Sequence, residues 1–387
     1  MEVGQELQRA APGVWAERQY AGEINEHGQD QGAEQERPEQ PSSMPSPDHG
    51  RDPERWPPKP QPRSLSMIRG MVQQVRTAVI GVGYLGRFHA QKYAAVPQSR
   101  LVAVVDTDRD ARERVAAEVG CRAVAEYREI LGEVDAVSIA TPTPLHFPIG
   151  RECLERGVHV LVEKPVTGTL EEGRALVETA ARSGRILQVG HLERFNAAIL
   201  ALEGTLGRPR FIESHRLAPF RERGTDVNVV LDLMIHDIDL IQSLVGAPIE
   251  SIDAVGASVF SAGLDIANAR IRYVGGCVAN TTASRVSLKM ERKLRLFQDD
   301  AYVSIDLQQK VLTIVRKPPA GQPATPGQVV IEERSYEQGD ALGLEIGSFL
   351  RSILEGRPPV VSGEDGLRAL DTAIRITRLV QEGGWTQ

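Results

Sequence analysis

Two periodicities divide the chain. Between about residues 74 and 190, short apolar runs at 77–80, 101–106, 136–140, 159–162 and 186–189 alternate with amphipathic stretches at 85–95, 109–118, 148–155 and 171–183. Apolar strands separated by amphipathic crossovers predict a parallel sheet covered by helices on both faces. From about 193 the rhythm turns to period two, with strands predicted at 211–216, 249–260, 267–273, 277–288, 293–298, 301–307 and 310–316. One helix is predicted at 229–245, and two more close the chain at 342–355 and 363–382. Gly275-Gly276 and Asp299-Asp300 read as hairpin turns, and 317–328 is a Pro/Gly loop. The predicted fold class is α/β: a doubly wound parallel sheet over 73–192, then an α/β domain over 193–387 with an open, mostly antiparallel sheet and helices on one face.

The first 72 residues follow neither rhythm. The stretch before residue 70 holds ten of the 24 prolines, is rich in Gln and Glu, and has almost no aliphatic clustering. It buries too little apolar area to offset the entropy of ordering it, so disorder is predicted. A translation start at Met67 or Met71 is the alternative expectation, since the periodic sequence begins beside both.

Bulk properties narrow the function classes. A net charge of −7 and a pI near 5.7 argue against a nucleic-acid partner, because no basic excess exists to displace counterions. Three scattered cysteines (Cys121, Cys153, Cys277) form neither a disulfide framework nor a metal cluster, which points to a reducing cytoplasm. No apolar run approaches the roughly 20 residues of a membrane span, and no signal-peptide pattern opens the chain.

Chemistry concentrates at the strand ends. Gly81, Gly83 and Gly86 follow the first strand in G-x-G-x-x-G spacing as a helix pattern opens, and the second strand ends in Asp106. Glycines there allow a tight turn, close approach of a pyrophosphate, and close helix–sheet packing; the helix start offers N–H groups to phosphate and the carboxylate offers acceptors to a ribose. Three glycines alone would signal only a turn, but with strand, helix and terminal Asp they predict dinucleotide binding. Lys164 follows the apolar strand 159–162 and precedes Pro165, which restricts its backbone. A lone Lys at a strand end is ordinarily a solvated charge; sharing a rim with the cofactor turn makes it a catalytic candidate. Asp232 and His236 stand at i, i+4 on a mostly apolar helix, where a buried ionisable pair is costly without a purpose. Self-satisfied pairing remains the plainer account of Asp237 and Asp239. No further His or Cys stands at ligand spacing, so no metal is expected.

In this order, Gly81–Gly86, Asp106, Thr141-Pro-Thr-Pro-Leu-His146, Glu163-Lys-Pro165 and Asp232-x-x-x-His236 resemble the Gfo/Idh/MocA (glucose–fructose oxidoreductase/inositol dehydrogenase) family. The resemblance covers about residues 74–387. It implies a Rossmann domain followed by a substrate-binding and oligomerisation domain, acting as a homodimer or homotetramer. Cofactor contacts are then expected from Gly81, Gly83, Tyr84, Leu85, Gly86, Asp106, Thr141, Pro142, His146, Glu163 and Lys164. Lys164 would bond the reacting hydroxyl, and His236 would accept its proton, oriented by Asp232. The segments 188–196, 213–220, 223–226 and 232–241 resemble bacterial members that oxidise the C3 hydroxyl of UDP-N-acetylglucosamine, whose ketone an aminotransferase consumes on the way to lipid A. Arg194, Asn196, Arg216, Arg221, Arg223 and His236 become substrate-side candidates. Bidentate arginines suit a diphosphate, although a solvated arginine face explains them equally well.

NAD is the expected cofactor and NADP the less favoured one. Asp106 sits where a 2′-phosphate would fall, and each like-charge contact at about 4 Å costs on the order of 4 kcal/mol before relaxation. Arg109 would offset this only by turning to the ribose. Two other functions stay open: a dehydrogenase of a free sugar or inositol, and a non-catalytic NAD-binding protein on the same fold.

Overall fold

The computed structural model describes residues 73–202, 206–220, 227–318, 329–336 and 339–383. The 1–72 extension, expected to be disordered, lies outside them, as does most of the 317–328 loop. The first lobe runs β1 (Val75–Ile80), α1 (Tyr84–Ala95), β2 (Ser99–Val105), α2 (Arg109–Val119), β3 (Arg122–Val124), β4 (Ala136–Ile139), α3 (His146–Glu155), β5 (His159–Glu163), α4 (Leu170–Ser183) and β6 (Leu187–Gly190). Its sheet is parallel throughout, in the order β3-β2-β1-β4-β5-β6. Strand order reverses between β1 and β4, the crevice at which such sheets bind ligands.

Register fixes what meets at that edge. Ile80 pairs with Val105 and Ile139, Ile139 with Val162, and Glu163 with Gly190. The residues that follow, Gly81, Asp106, Ala140, Lys164 and His191, therefore emerge on one rim. Strands buried on both faces explain the unbroken apolar runs that made them visible in the sequence.

The second lobe holds α5 (Ala197–Leu200), β7 (Phe211–Leu217), a π turn (Val230–Met234) running into α6 (Ile235–Val245), then β8 (Ile249–Ala257), β9 (Ile266–Tyr273), β10 (Val278–Ser284), β11 (Glu291–Phe297), β12 (Ala301–Asp306), β13 (Val311–Arg316) and β14 (Val330–Ser335). The sheet order is β14-β13-β12-β11-β7-β10-β9-β8; β7 and β10 run parallel and the other neighbours antiparallel. Alternate residues such as Ile212, Ala269, Ile271, Leu294 and Val303 point into one core with Ile238 and Ile241 of α6. The chain ends with α7 (Ala341–Glu355) and α8 (Gly363–Glu382). Ile346, Phe349 and Leu350 of α7 pack beside Val79 and Tyr93 of the first lobe. On α8, Leu370 joins a first-lobe core while Ala373 and Ile376 join the second-lobe core. No helix of the described residues is long and apolar enough to cross a membrane.

Candidate active site

The glycine turn is built for an anion. Gly81 has φ +85°, and a Cβ there would lie 2.9 Å from the Ala140 carbonyl. A Cβ on Gly86 would fall 1.8 Å from the Gly81 oxygen, so glycine is what lets α1 close on the turn. Around Gly83, by contrast, an added Cβ meets nothing within 4 Å. Gly83 is the N-cap of α1; no side chain caps this end and its first turn holds no acidic residue. Elsewhere α2 is capped by Asp108, α4 by a Thr169/Glu172 box and α8 by a Ser362/Asp365 box. An open floor beneath a helix start that no side chain caps, with its dipole, suits a phosphate pair. The Asp106 carboxylate accepts from the Val82 N–H at 2.8 Å and the Asp108 N–H at 2.9 Å, which pins it beside the turn. These residues fit a dinucleotide: Gly81, Gly83 and Gly86 beneath the phosphates, Asp106 toward the adenosine ribose.

Other expected cofactor contacts are distributed unevenly. Tyr84 and Leu85 stand exposed on the first turn of α1. Thr141 keeps a buried hydroxyl oxygen with no hydrogen-bond partner among the described residues, and Pro142 precedes the turn into α3. His146 lies deeper than a lining residue, with its ring nitrogens against the Pro165 carbonyl and the Thr141 carbonyl, each at 2.9 Å. Burial pushes its pKa below the ordinary imidazole value against the pull of those carbonyls. Its place is to tie the Thr141 and Lys164–Pro165 segments together from behind; that peptide bond is cis.

Lys164 crosses from the rim to the second lobe. Its Nζ donates to the Asp232 carbonyl at 2.8 Å and stands 3.5 Å from the Asp232 carboxylate. Among the described residues no hydrogen bond joins Asp232 to His236, so the expected orienting contact is absent. The π turn takes an extra residue per turn and displaces the i, i+4 stacking that a regular α-helix would give. Burial pushes His236 well below the ordinary imidazole value, and the charges of Lys164 and Arg216 push the same way. The ring is neutral at neutral pH, the form that accepts a proton. Beside Lys164, burial alone would raise the Glu163 carboxyl, but the His89 bond at 2.9 Å and the Lys164 charge outweigh it and the net shift is downward. Behind it, burial and the Glu163 charge raise Glu345 well above the ordinary carboxyl range.

Three of the substrate-side candidates are paired within the protein. Arg216 is 4% exposed; it holds Asp237 through two nitrogens at 3.1 and 2.8 Å, and Glu193 through the third at 2.8 Å. Arg194 grips both oxygens of Asp239 at 2.7 and 2.8 Å. Asn196 caps α5 and donates to the Leu307 carbonyl at 2.9 Å. Each group is consumed inside the protein, because acidic residues on α6 and the 192–195 turn match them in space. Asp237 and Asp239 accordingly pair with arginines from other elements. Arg221 and Arg223 lie outside the described residues.

Two residues near the site were overlooked in the sequence. Arg292 at the start of β11 is about half exposed, stands 3.9 Å from Glu193 and faces His236. His191 follows β6 with its ring edge-to-face against His236, centroids 6.4 Å apart. The rim position of His191, shared with Asp106 and Lys164, was the signal that could have found it. Arg292 carries no local signal, since only sheet register brings it there.

Comparison with known proteins agrees with this architecture. The family model GFO_IDH_MocA, described as an oxidoreductase family with an NAD-binding Rossmann fold, matches residues 75–191, and the family's C-terminal domain model matches 197–303. A UDP-N-acetylglucosamine 3-dehydrogenase of Acidithiobacillus ferrooxidans is 42% identical over 308 residues, covering 79% of this chain and 97% of that protein. A solved structure of that dehydrogenase superposes with a TM-score of 0.76 at 41% identity, over 81% of this chain and 99% of its own. A scyllo-inositol 2-dehydrogenase (NAD+) of Bacillus subtilis is 29% identical over 334 residues, covering 81% and 96% of the two chains.

Proposed function

The chain belongs to the Gfo/Idh/MocA oxidoreductase family, and from that membership we propose that it oxidises the C3 hydroxyl of UDP-N-acetylglucosamine to a ketone. The observation that carries the proposal is the reach of the Lys164 ammonium to Asp232, which brings its charge to bear on a neutral, half-buried His236 whose Nδ1 is enclosed. Lys164 donates a hydrogen bond to the reacting oxygen and His236 takes its proton, while Asp232 holds the ammonium in place. NAD, when bound, supplies the acceptor for the hydride; Asp106 disfavours a 2′-phosphate there. Arg292 supplies positive charge for the diphosphate, and Arg221 and Arg223 are the further candidates for it. Residues 193–387 serve as the substrate and oligomerisation domain of a homodimer or homotetramer working in the cytoplasm. The ketone calls for an aminotransferase as its consumer, on a route to amide-linked lipid A.

The test is direct. Purified protein with NAD and UDP-N-acetylglucosamine should form NADH, and more of it when an aminotransferase removes the ketone. Lys164→Ala and His236→Ala should each lower kcat by roughly 10²–10⁴-fold, with NAD affinity kept in His236→Ala. Full turnover by both variants overturns these roles.

A second reading draws support from Arg194 and Arg216, whose internal pairing removes two of the expected diphosphate ligands. The substrate would then be a free sugar or inositol. Turnover of such a compound, with no competition from UDP, would select it.

A further inference from the structure

His191 is 1% exposed, and both of its ring nitrogens are buried without a hydrogen-bond partner among the described residues. Its backbone is fixed where β6 ends, the N–H donating to the Val189 carbonyl at 2.8 Å. The ring stands at 88° to that of His236, whose Nδ1 is also buried and unpartnered. A phenylalanine would fill this space with no polar atom left over, so an imidazole here needs a polar reason.

His236 lacks what a catalytic imidazole needs. A base that takes a proton on one ring nitrogen works best when its other N–H has an acceptor, which fixes the tautomer and stabilises the imidazolium. Asp232 and Asp239 are engaged elsewhere and neither bonds His236 among the described residues: Asp232 faces Lys164, and Asp239 is held by both arms of Arg194. Facing His191 are Asp239 and Arg194, with Lys164 and Glu163 from the end of β5; facing His236 are Lys164, Arg216 and Arg292.

We propose that His191 is the positioning partner of His236. Resting on the assignment of His236 as base, a nitrogen of His191 accepts the Nδ1–H of His236, through a small ring rotation or one bridging water. That leaves His236 Nε2 to receive the proton of the substrate hydroxyl, and the Nδ1–H remains shared between the two rings as the imidazolium forms. No net charge leaves the pair until the proton on Nε2 is released to solvent.

The experiment compares His191→Phe, His191→Asn, His236→Ala and the double variant His191→Phe/His236→Ala, assayed as the intact chain with NAD and UDP-N-acetylglucosamine. His191→Phe should lower kcat at least about tenfold, with KM and NAD affinity little changed. The acid limb of its kcat profile should move to lower pH, because an imidazolium without its acceptor is less stable. His191→Asn should return part of the rate, and His191→Phe should add nothing in the His236→Ala background. Wild-type kcat and an unmoved acid limb in folded His191→Phe would overturn the inference and leave the assignment of His236 intact. Full turnover by His236→Ala would overturn that assignment instead. Should His191→Phe fail to fold, 15N spectra of histidine-labelled wild-type protein decide: a neutral His236 protonated on Nδ1 supports the pairing, and one protonated on Nε2 refutes it.

Discussion

A buried neutral imidazole leaves a mark on stability as well as on catalysis. Burial holds His146, His191 and His236 below the ordinary value of 6.5, and lowers His159 to about 4. The unfolded chain takes up protons at these histidines as pH falls through about 6.5, while the folded chain resists until lower pH. Stability is therefore complete above 6.5 and drains away below it, the share from His159 running out near 4. Glu345 acts in the opposite sense: its raised pKa costs stability as pH climbs above the ordinary carboxyl value of 4.5. Asp237, raised by its burial, acts in the same sense as Glu345; four imidazoles still outnumber these two carboxyls, so Tm should rise from about pH 5 to about pH 7, and more steeply in Glu345→Gln. Thermal denaturation across that range checks this; a flat or falling Tm would mean that the rings are charged in the folded protein. At this scale Asp106, Lys164 and His236 were legible because local spacing marks them. The fates of Arg194, Asn196 and Arg216 were not, because a partner on another element decides whether a charge is free or spent.

At the scale of elements, what the sequence disclosed tracks burial. Strands β1, β2, β4, β5 and β6 are apolar because both faces are covered, and they stood out as runs. Strand β3 has three residues, and β14 (Val-Ile-Glu-Glu-Arg-Ser) is a largely exposed edge, so neither carries a pattern. The π turn before α6 was equally hidden, since apolar residues surround Asp232 in either helical form. The glycine turn separates binding from folding in a testable way. Gly83→Ala adds a methyl to open space in the protein, at φ −63°, where no glycine is required. It should leave Tm near wild type while NAD affinity falls at least about tenfold, through contact with the pyrophosphate. Gly86→Ala places its methyl into the Gly81 carbonyl and should lower Tm as well as affinity. Calorimetry with NAD titration distinguishes them; equal Tm losses would show that Gly83 serves the turn rather than the ligand.

Across the described molecule, buried charge joins elements that sequence order keeps apart. Arg216 of β7 meets Asp237 of α6 and Glu193 of the turn after β6, while Arg194 of that turn meets Asp239 of α6. This lattice runs from the end of the first sheet into the second and ties α6, which carries His236, to both. The return of α7 onto the first lobe could not be seen from periodicity, because an amphipathic helix does not announce which core it joins. The same lattice decides what the arginines do. Removing one member of a buried ion pair typically costs about 3–5 kcal/mol, since the remaining carboxylates lose their counter-charge without regaining water. Arg216→Met should therefore lower unfolding free energy by about that amount, with UDP affinity little altered in the molecules that remain folded. Arg292→Ala, removing a half-exposed charge, should keep Tm and weaken UDP binding. Denaturant melts paired with UDP titration of both variants test the division. If Arg216→Met kept its stability and lost UDP, the guanidinium would have to leave Asp237 for the diphosphate, and the lattice would be a resting state rather than a frame.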